Sequence, residues 1–209
     1  SLEDNLFLIL HGFSHTDWLQ LIASPSEKLT VLEAGCGCGK FSLWYALHGA
    51  VVTAIDIDPG LIAYAQVLQA RLGARIGRQI PATFEQVSLF DAVKRYGEKS
   101  FDLVFNEGVP HQWPSSDPRR ALSIVEMARL CKPGGRVVVM GSNALCPEMV
   151  KLAEQTEHTY LGMPSKQQPF QPAELSRLLE AAGLQRSQIA PLEGDWETSM
   201  HLIAFGEKP

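Results

Sequence analysis

Val31-Leu-Glu-Ala-Gly-Cys-Gly-Cys-Gly-Lys40 decides the reading of this chain: an apolar run leads into three glycines at alternate positions, Gly35, Gly37 and Gly39. Glycine has no Cβ, so such a turn bends tightly and lets a ligand rest against bare main chain. A strand entering a glycine-spaced turn that opens a helix is the setting of a nucleotide-binding loop. The dinucleotide fingerprint requires a third glycine at position 40, which is Lys40 here, so the spacing disfavours NAD.

Outward from this loop, short β-rich runs alternate with helical runs, which predicts a parallel sheet with helices on both faces. Strands are expected at Thr30–Ala34, Val51–Ile55, Thr83–Ser88, Phe101–Asn106 and Arg136–Gly141. Between the second and third, Leu61, Ala65, Leu68 and Leu72 share one helical face behind Asp58 as N-cap and Pro59 at the first helical position, with Gly73 as the stop. A second helix opens at Ser116-Asp117-Pro118, turns Leu122, Val125 and Ala128 inward, and ends at Lys132-Pro-Gly-Gly135. A third starts at Pro172 with Leu175, Leu178, Leu179 and Ala182 inward, and closes at Gly183. Two last runs, Gln185–Pro191 and Ser199–Phe205, read as a hairpin. No repeat or linker divides the chain, so residues 1–209 are expected to form one domain, with 1–27 an N-terminal helical segment and 142–171 an inserted segment. Pro164 and Pro169 around Lys166-Gln-Gln168 suit a loop or lid over a substrate.

The 209 residues are 45% hydrophobic and 20% charged, which fits one globular domain with a sizeable core. With 18 basic and 23 acidic residues the net charge is −5, so the surface offers no general electrostatic footprint for nucleic acid or an acidic membrane. Four cysteines in a chain this long make no disulfide framework; reduced thiols and a cytoplasmic location are expected. Cys36 and Cys38 lack a second Cys/His pair, which argues against zinc, and no metal is expected. No apolar run reaches the roughly 18 residues that span a bilayer, and the start lacks the basic and apolar regions of a signal peptide. Ser1 in place of Met leaves the native N-terminus open, and nothing in the sequence sets an oligomeric state.

The glycine loop resembles the first motif of the class I S-adenosylmethionine-dependent methyltransferases, an acidic residue followed by alternate glycines, here Glu33, Gly35, Gly37 and Gly39. The resemblance continues in order through Val52-Thr-Ala-Ile-Asp56, Phe101-Asp-Leu-Val-Phe-Asn106 and Leu130-Cys-Lys-Pro-Gly-Gly135, and covers about residues 28–207. It implies a Rossmann-like three-layer α/β/α sandwich around a seven-stranded, mostly parallel sheet of order 3-2-1-4-5-7-6, the last strand antiparallel. It also implies S-adenosylmethionine as cofactor, S-adenosylhomocysteine as product and a small-molecule acceptor.

On this resemblance the expected cofactor-binding residues fall in four groups. The loop supplies Glu33, Gly35, Cys36, Gly37 and Gly39; the second strand end supplies Asp56 and Ile57; the third supplies Ser88, Leu89 and Phe90; the fourth supplies Asn106, Glu107 and Gly108. Asp56 stands about 20 residues beyond Gly35 at a strand end, the separation at which a doubly wound fold brings a carboxylate to a ribose diol. Asp58, directly before Pro59, fills the helix-cap role and frees Asp56 for the ligand. Two roles are open to Glu33: bonding the loop amides, or countering the ammonium of the methionine moiety. The family carries an acid after the third strand that accepts from the adenine amino group, and the register leaves both Ser88 and Asp91 for it. Leu89 and Phe90 offer apolar contact to the purine.

Chemistry is expected in Asn106-Glu-Gly-Val-Pro-His-Gln-Trp-Pro114, because the carboxyl end of a parallel strand points into the ligand crevice. The Asn-Pro-Pro-aromatic motif of relatives that methylate base amino groups is missing, and the Pro-Cys pair of cytosine C5 enzymes occurs only reversed, as Cys146-Pro147. Both departures disfavour a nucleic-acid partner. The Glu-His pair of many small-molecule relatives becomes His111-Gln112. Transfer from a sulfonium needs chiefly in-line positioning of the nucleophile, and His111 is the candidate catalytic base where the acceptor must lose a proton. Phe7, Phe13, Trp18, Trp113, Tyr160, Met163 and Phe170 either wall an acceptor pocket or anchor loops to the core. A nicotinamide-dependent oxidoreductase and a non-catalytic cofactor-binding module are the competing readings, since fold alone does not separate them.

Overall fold

The computed structural model describes Leu6 and residues 29–155, 158–160, 163–165 and 167–209, of which 158–160 and 163–165 are described by their backbone alone. The strands are β1 (Thr30–Ala34), β2 (Val51–Asp56), β3 (Ala82–Gln86), β4 (Phe101–Glu107), β5 (Cys131–Ser142), β6 (His158–Tyr160), β7 (Met163–Ser165), β8 (Gln185–Pro191) and β9 (His201–Glu207). The helices are α1 (Lys40–Leu47), α2 (Pro59–Ile76), α3 (Leu89–Tyr96), α4 (Pro118–Leu130), α5 (Pro147–Gln155) and α6 (Pro172–Ala181). A 3-10 turn covers Pro110–Gln112.

Seven strands form one sheet of order β3-β2-β1-β4-β5-β9-β8. Counted within the sheet, this is the expected 3-2-1-4-5-7-6. β9 runs antiparallel to both neighbours and the other pairs are parallel. The inner strands are covered on both faces, so they read as near-continuous apolar runs rather than alternating ones. Val31 joins Leu103, Phe105, Val138 and Met140 on the face packed by α1 and α2. Leu32 joins Val104, Val137 and Val139 on the face packed by α3, α4 and α6. This is the three-layer sandwich. Leu6, in the expected N-terminal helical segment, is helical and buried against the α1 side; the remainder of 1–27 lies outside the described residues. The segment 142–171 contains α5 and the small β6–β7 hairpin. Among the described residues no helix is long and apolar enough to cross a membrane.

Several boundaries and faces differ from expectation for identifiable reasons. α2 begins as expected, with Asp58 accepting from Gly60 and Leu61, but runs through Gly73 to a left-handed cap at Gly77; it buries Ile62 in place of Leu61. In α4 Ile124, Met127 and Ala128 face the sheet while Leu122 is exposed. On the same side Arg120, in the first turn, is buried and donates to Trp113 O and Gln168 O. β3 ends at Gln86, because Ser88 is the N-cap of α3. α6 buries Leu175 and Leu179, with Leu178 and Ala182 at the margin. β5 starts at Cys131, so the Lys-Pro-Gly-Gly turn is part of the strand entry, and β9 is shifted two residues beyond Ser199–Phe205.

Candidate active site

β1 delivers the chain into the glycine loop at the carboxyl end of the sheet. The Gly35 and Cys36 N–H groups both donate to the Ile55 carbonyl at the end of β2, at 2.7 and 2.9 Å, and Gly39 N–H donates to Cys36 O at 2.8 Å. The three glycines are needed for different reasons. A Cβ on Gly35 would stand 2.2 Å from Val109 Cγ2, and one on Gly39 2.5 Å from the Phe84 ring. Gly37, at φ 52°, would meet nothing within 4 Å among the described residues. Gly35 and Gly39 therefore permit close packing, whereas Gly37 presents bare main chain to open space, where a ligand can lie. Cys36 contributes its backbone; its side chain is buried in the α1-side core, and burial pushes its thiol well above the ordinary value.

Asp56 is 3% exposed and ties the loop to β2. Its Oδ2 accepts from Gly37 N–H and its Oδ1 from Asp58 N–H, both at 2.9 Å. Asp58 spends its own Oδ1 on capping α2.

Glu33 is fully buried beneath the loop. It accepts from Ser42 N–H at 2.9 Å and from the Ser42 hydroxyl. The N-cap of α1 is Gly39, which has no side chain to cap with, and Glu33 supplies the missing acceptor from the neighbouring strand. Burial pushes its carboxyl up to about 8; Ser42 opposes this, while the charges of Glu107 and Asp56 add to it. Glu107, at the exposed end of β4, is likewise raised by desolvation against the pull of Lys40 and His201. Three acidic side chains thus converge on the loop, and Glu33 among them holds its proton up to about pH 8.

On the β3 side, Ser88 accepts from Phe90 N–H as the cap of α3. Ser88 and Asp91 both line an open groove of about 440 Å³ with Gln86, Val87, Lys94 and Arg95. Leu89 turns into the core, while Ile57 and Phe90 are exposed. Phe90 lies 5.8 Å, centroid to centroid, from Trp113 of the turn after β4.

Beyond β4 the expected residues part company. Asn106 turns into the core: its amide donates to Met127 Sδ at 3.0 Å and its Oδ1 accepts from Val109 N–H at 3.4 Å, so it shapes the turn instead of facing the loop. The alternation of a strand requires this, because Glu107 points to the opposite face. Gly108, at φ 84°, makes room for His111, whose Nε2 would stand 2.9 Å from a Cβ there. His111 is buried, and its Nδ1 accepts from Ser142 N–H at 3.1 Å, with Ser142 Oγ at 3.2 Å. An amide can only donate, so these partners assign the proton of the neutral ring to Nε2. A base role through Nε2, which needs that nitrogen without its proton, does not fit these hydrogen bonds. Phe170 is fully buried as core, not pocket wall; Phe7, Phe13 and Trp18, with the side chains of Tyr160 and Met163, lie outside the described residues. Among the described residues no three His, Cys, Asp or Glu side chains gather to hold a metal.

Sequence reasoning missed Ser42, Ser142, Gln167 and Arg120. A serine three residues after Gly39, in the first turn of a helix that lacks a capping side chain, was a usable signal for the first. Of the others, Ser142 meets His111 directly, Gln167 meets it through Ser142, and Arg120 meets it through Gln168, all by tertiary contact.

Residues 32–139 match the family model described as a methyltransferase domain. The chain is 32% identical over 129 residues to a tRNA U34 carboxymethyltransferase of Hydrogenovibrio crunogenus, covering 60% of this chain and 37% of that one. It is 31% identical over 201 residues to a ubiquinone biosynthesis O-methyltransferase of Pseudomonas putida, covering 91% of this chain and 79% of that one. The chain thus spans only about a third to a half of several curated relatives, and most of others. The magnesium protoporphyrin IX methyltransferase from Synechocystis, solved with bound S-adenosylhomocysteine, shares the fold at TM-score 0.62 and 20% identity, over 99% of this chain and 83% of that one. A family match across more than half of the chain, together with a relative most of whose length it spans, makes this protein a member of the methyltransferase domain family, within the S-adenosylmethionine-dependent class that its glycine loop resembles.

Proposed function

We propose that this chain transfers a methyl group from S-adenosylmethionine to an oxygen of a small-molecule acceptor. The observation that carries the reading is the joint between Gly37 and Asp56: open space over a bare glycine, beside a buried carboxylate at a strand end. Gly37 and Asp56 would hold the ribose and the chain next to it, with Ile57, Ser88 and Phe90 along the purine. Glu107 would counter the positive charge of the methionine end. S-adenosylmethionine supplies an activated methyl group whose leaving thioether is neutral. What the protein adds is position: the loop fixes one reactant, and the turn after β4 orients the other. Within that turn His111 would donate from Nε2 and hold an acceptor oxygen in place.

Support for a small oxygen acceptor comes from the O-methyltransferase relative that aligns over 91% of the chain and from the net charge of −5, which repels polyanions. The test is a titration of the purified chain with S-adenosylmethionine, S-adenosylhomocysteine and NAD, followed by product assay on phenols, carboxylic acids, amines and bulk tRNA. Binding of the first two without NAD, and turnover of a phenol or acid, is the expected result. NAD binding would overturn the cofactor assignment, and methylation of tRNA alone would overturn the acceptor class.

A further inference from the structure

Arg120 is the largest fully buried side chain of the described residues, at 2% exposure, and nothing in the cofactor site uses it. A buried guanidinium is costly unless every face is partnered. Its partners come from two segments distant in sequence. Nη1 donates to Trp113 O and to Gln168 O, both at 2.8 Å, and Nη2 to Pro169 O at 3.4 Å. Glu174 of α6 meets Nη2 at 3.0 Å and Nε at 2.9 Å, and the guanidinium stacks 3.7 Å over the Phe170 ring. One side chain therefore joins the turn after β4 to the end of the 142–171 segment.

The same two segments grip His111. Gln168 N–H donates to His111 O at 2.7 Å, Ser142 N–H donates to His111 Nδ1, and the Ser142 hydroxyl donates to Gln167 Oε1 at 2.8 Å. Phe170 N–H donates to Ser142 O at 2.8 Å, closing the ring of contacts. Gly141 carries no side chain because Phe170 and His111 occupy that space.

We propose that Arg120, paired with Glu174, is a positioning residue that, through Gln168, holds His111 against Ser142 and so fixes the imidazole as its Nε2–H tautomer in the turn that would orient the acceptor. The proposal rests on the methyl-transfer reading for its purpose, but its geometry does not depend on any ligand. Lysine cannot replace arginine here, because a single ammonium cannot reach three carbonyls and a carboxylate while stacking on a ring. Removing Arg120 alone would strand the Glu174 carboxylate in a half-buried place, whereas removing both charges spares that cost.

The experiment uses the full chain labelled with 15N-histidine, as wild type, Arg120→Lys, and the double variant Arg120→Met with Glu174→Met. Long-range 1H–15N spectra read the tautomer, and His111→Gln assigns the signal among the six histidines. Wild type should show one neutral ring protonated at Nε2. In both variants that pattern should move toward the averaged signals of a free imidazole, while S-adenosylhomocysteine affinity stays within about threefold, since the glycine loop shares no partner with Arg120. A His111 signal unchanged from wild type in either folded variant would overturn the positioning role. The double variant guards against loss of fold in the single one. Failure of wild type to bind S-adenosylhomocysteine would sink the methyl-transfer reading and leave the ring spectra fully interpretable.

Discussion

Three residues of the loop region carry separable effects. Gly37→Val should abolish S-adenosylhomocysteine binding in calorimetry with the circular dichroism spectrum retained. A β-branched residue at φ 52° costs about 1–2 kcal/mol of backbone strain, yet it meets no atom of the described residues, so the loss falls on the ligand. Unchanged affinity in the folded variant would move the cofactor off the loop. Asp56→Asn keeps an oxygen for one amide and loses the charge; it should weaken binding by about 1.5–3 kcal/mol, the scale of a charge-assisted pair. Glu33 acts through pH. Its carboxyl stands at about 8 in the fold against 4.5 ordinarily, so between those values the native state binds a proton that the unfolded chain does not. Stability therefore falls as pH rises through that window, by up to about 1.4 kcal/mol per unit, and this group adds no further change below or above it. Glu33→Gln keeps an acceptor for Ser42 N–H and should flatten the dependence. Urea midpoints at pH 5, 6.5 and 8 check this, and parallel slopes would remove Glu33 as the source.

At the scale of elements, the opposite ends of the strands are knotted independently of the site. Asp102, at the start of β4, accepts from Thr30 N–H and the Thr30 hydroxyl of β1, and Lys132 Nζ at the start of β5 reaches both of its oxygens at 3.0 Å. Burial opposes ionisation of Asp102, but the Thr30 and Lys132 bonds outweigh it and hold the carboxyl below its ordinary value. Lys132→Met should cost under about 1 kcal/mol, because that side chain is 37% exposed and water screens the pair. Asp102→Ala strands the two Thr30 donors and removes the partner of Lys132, and should cost about 1–3 kcal/mol in chemical denaturation. Neither should change S-adenosylhomocysteine affinity, which depends on the far ends of β1, β2 and β4; a large loss of binding in either would tie the two ends together.

For the whole molecule, ligand binding and stability are one measurement. A ligand at about 100 times its Kd adds about 2.7 kcal/mol to the folded state, and in a domain of this size each kcal/mol moves Tm by about 2–4 °C. S-adenosylhomocysteine should raise Tm by several degrees and NAD should leave it unchanged. An equal shift with NAD would restore the dinucleotide reading that Lys40 argues against.

Much of this protein is legible residue by residue along the chain. The glycine spacing after β1, the Asp58-Pro59 start of α2 and the order of strand and helix runs were enough for the succession of elements and a parallel sheet, since caps, turns and periodicities act between near neighbours, whereas the sheet order was implied only by the family resemblance. The aspartate pair was legible for the same reason: one caps its own helix and the other faces the loop. The surroundings of β4 and α4 obeyed longer-range conditions. Strand parity sent Asn106 into the core and Glu107 outward, and α4 buries Arg120, Ile124 and Met127 while Leu122 is exposed. His111 looked like a base because a loop histidine has no visible partner in the sequence; its tautomer is set by Ser142, 31 residues away, and the Arg120 clamp by Gln168 and Glu174, 48 and 54 residues away. A local pattern names the residues that can do chemistry. Which proton they carry and which way they point is set by buried hydrogen bonds, and the partners of those bonds meet only once the chain has folded.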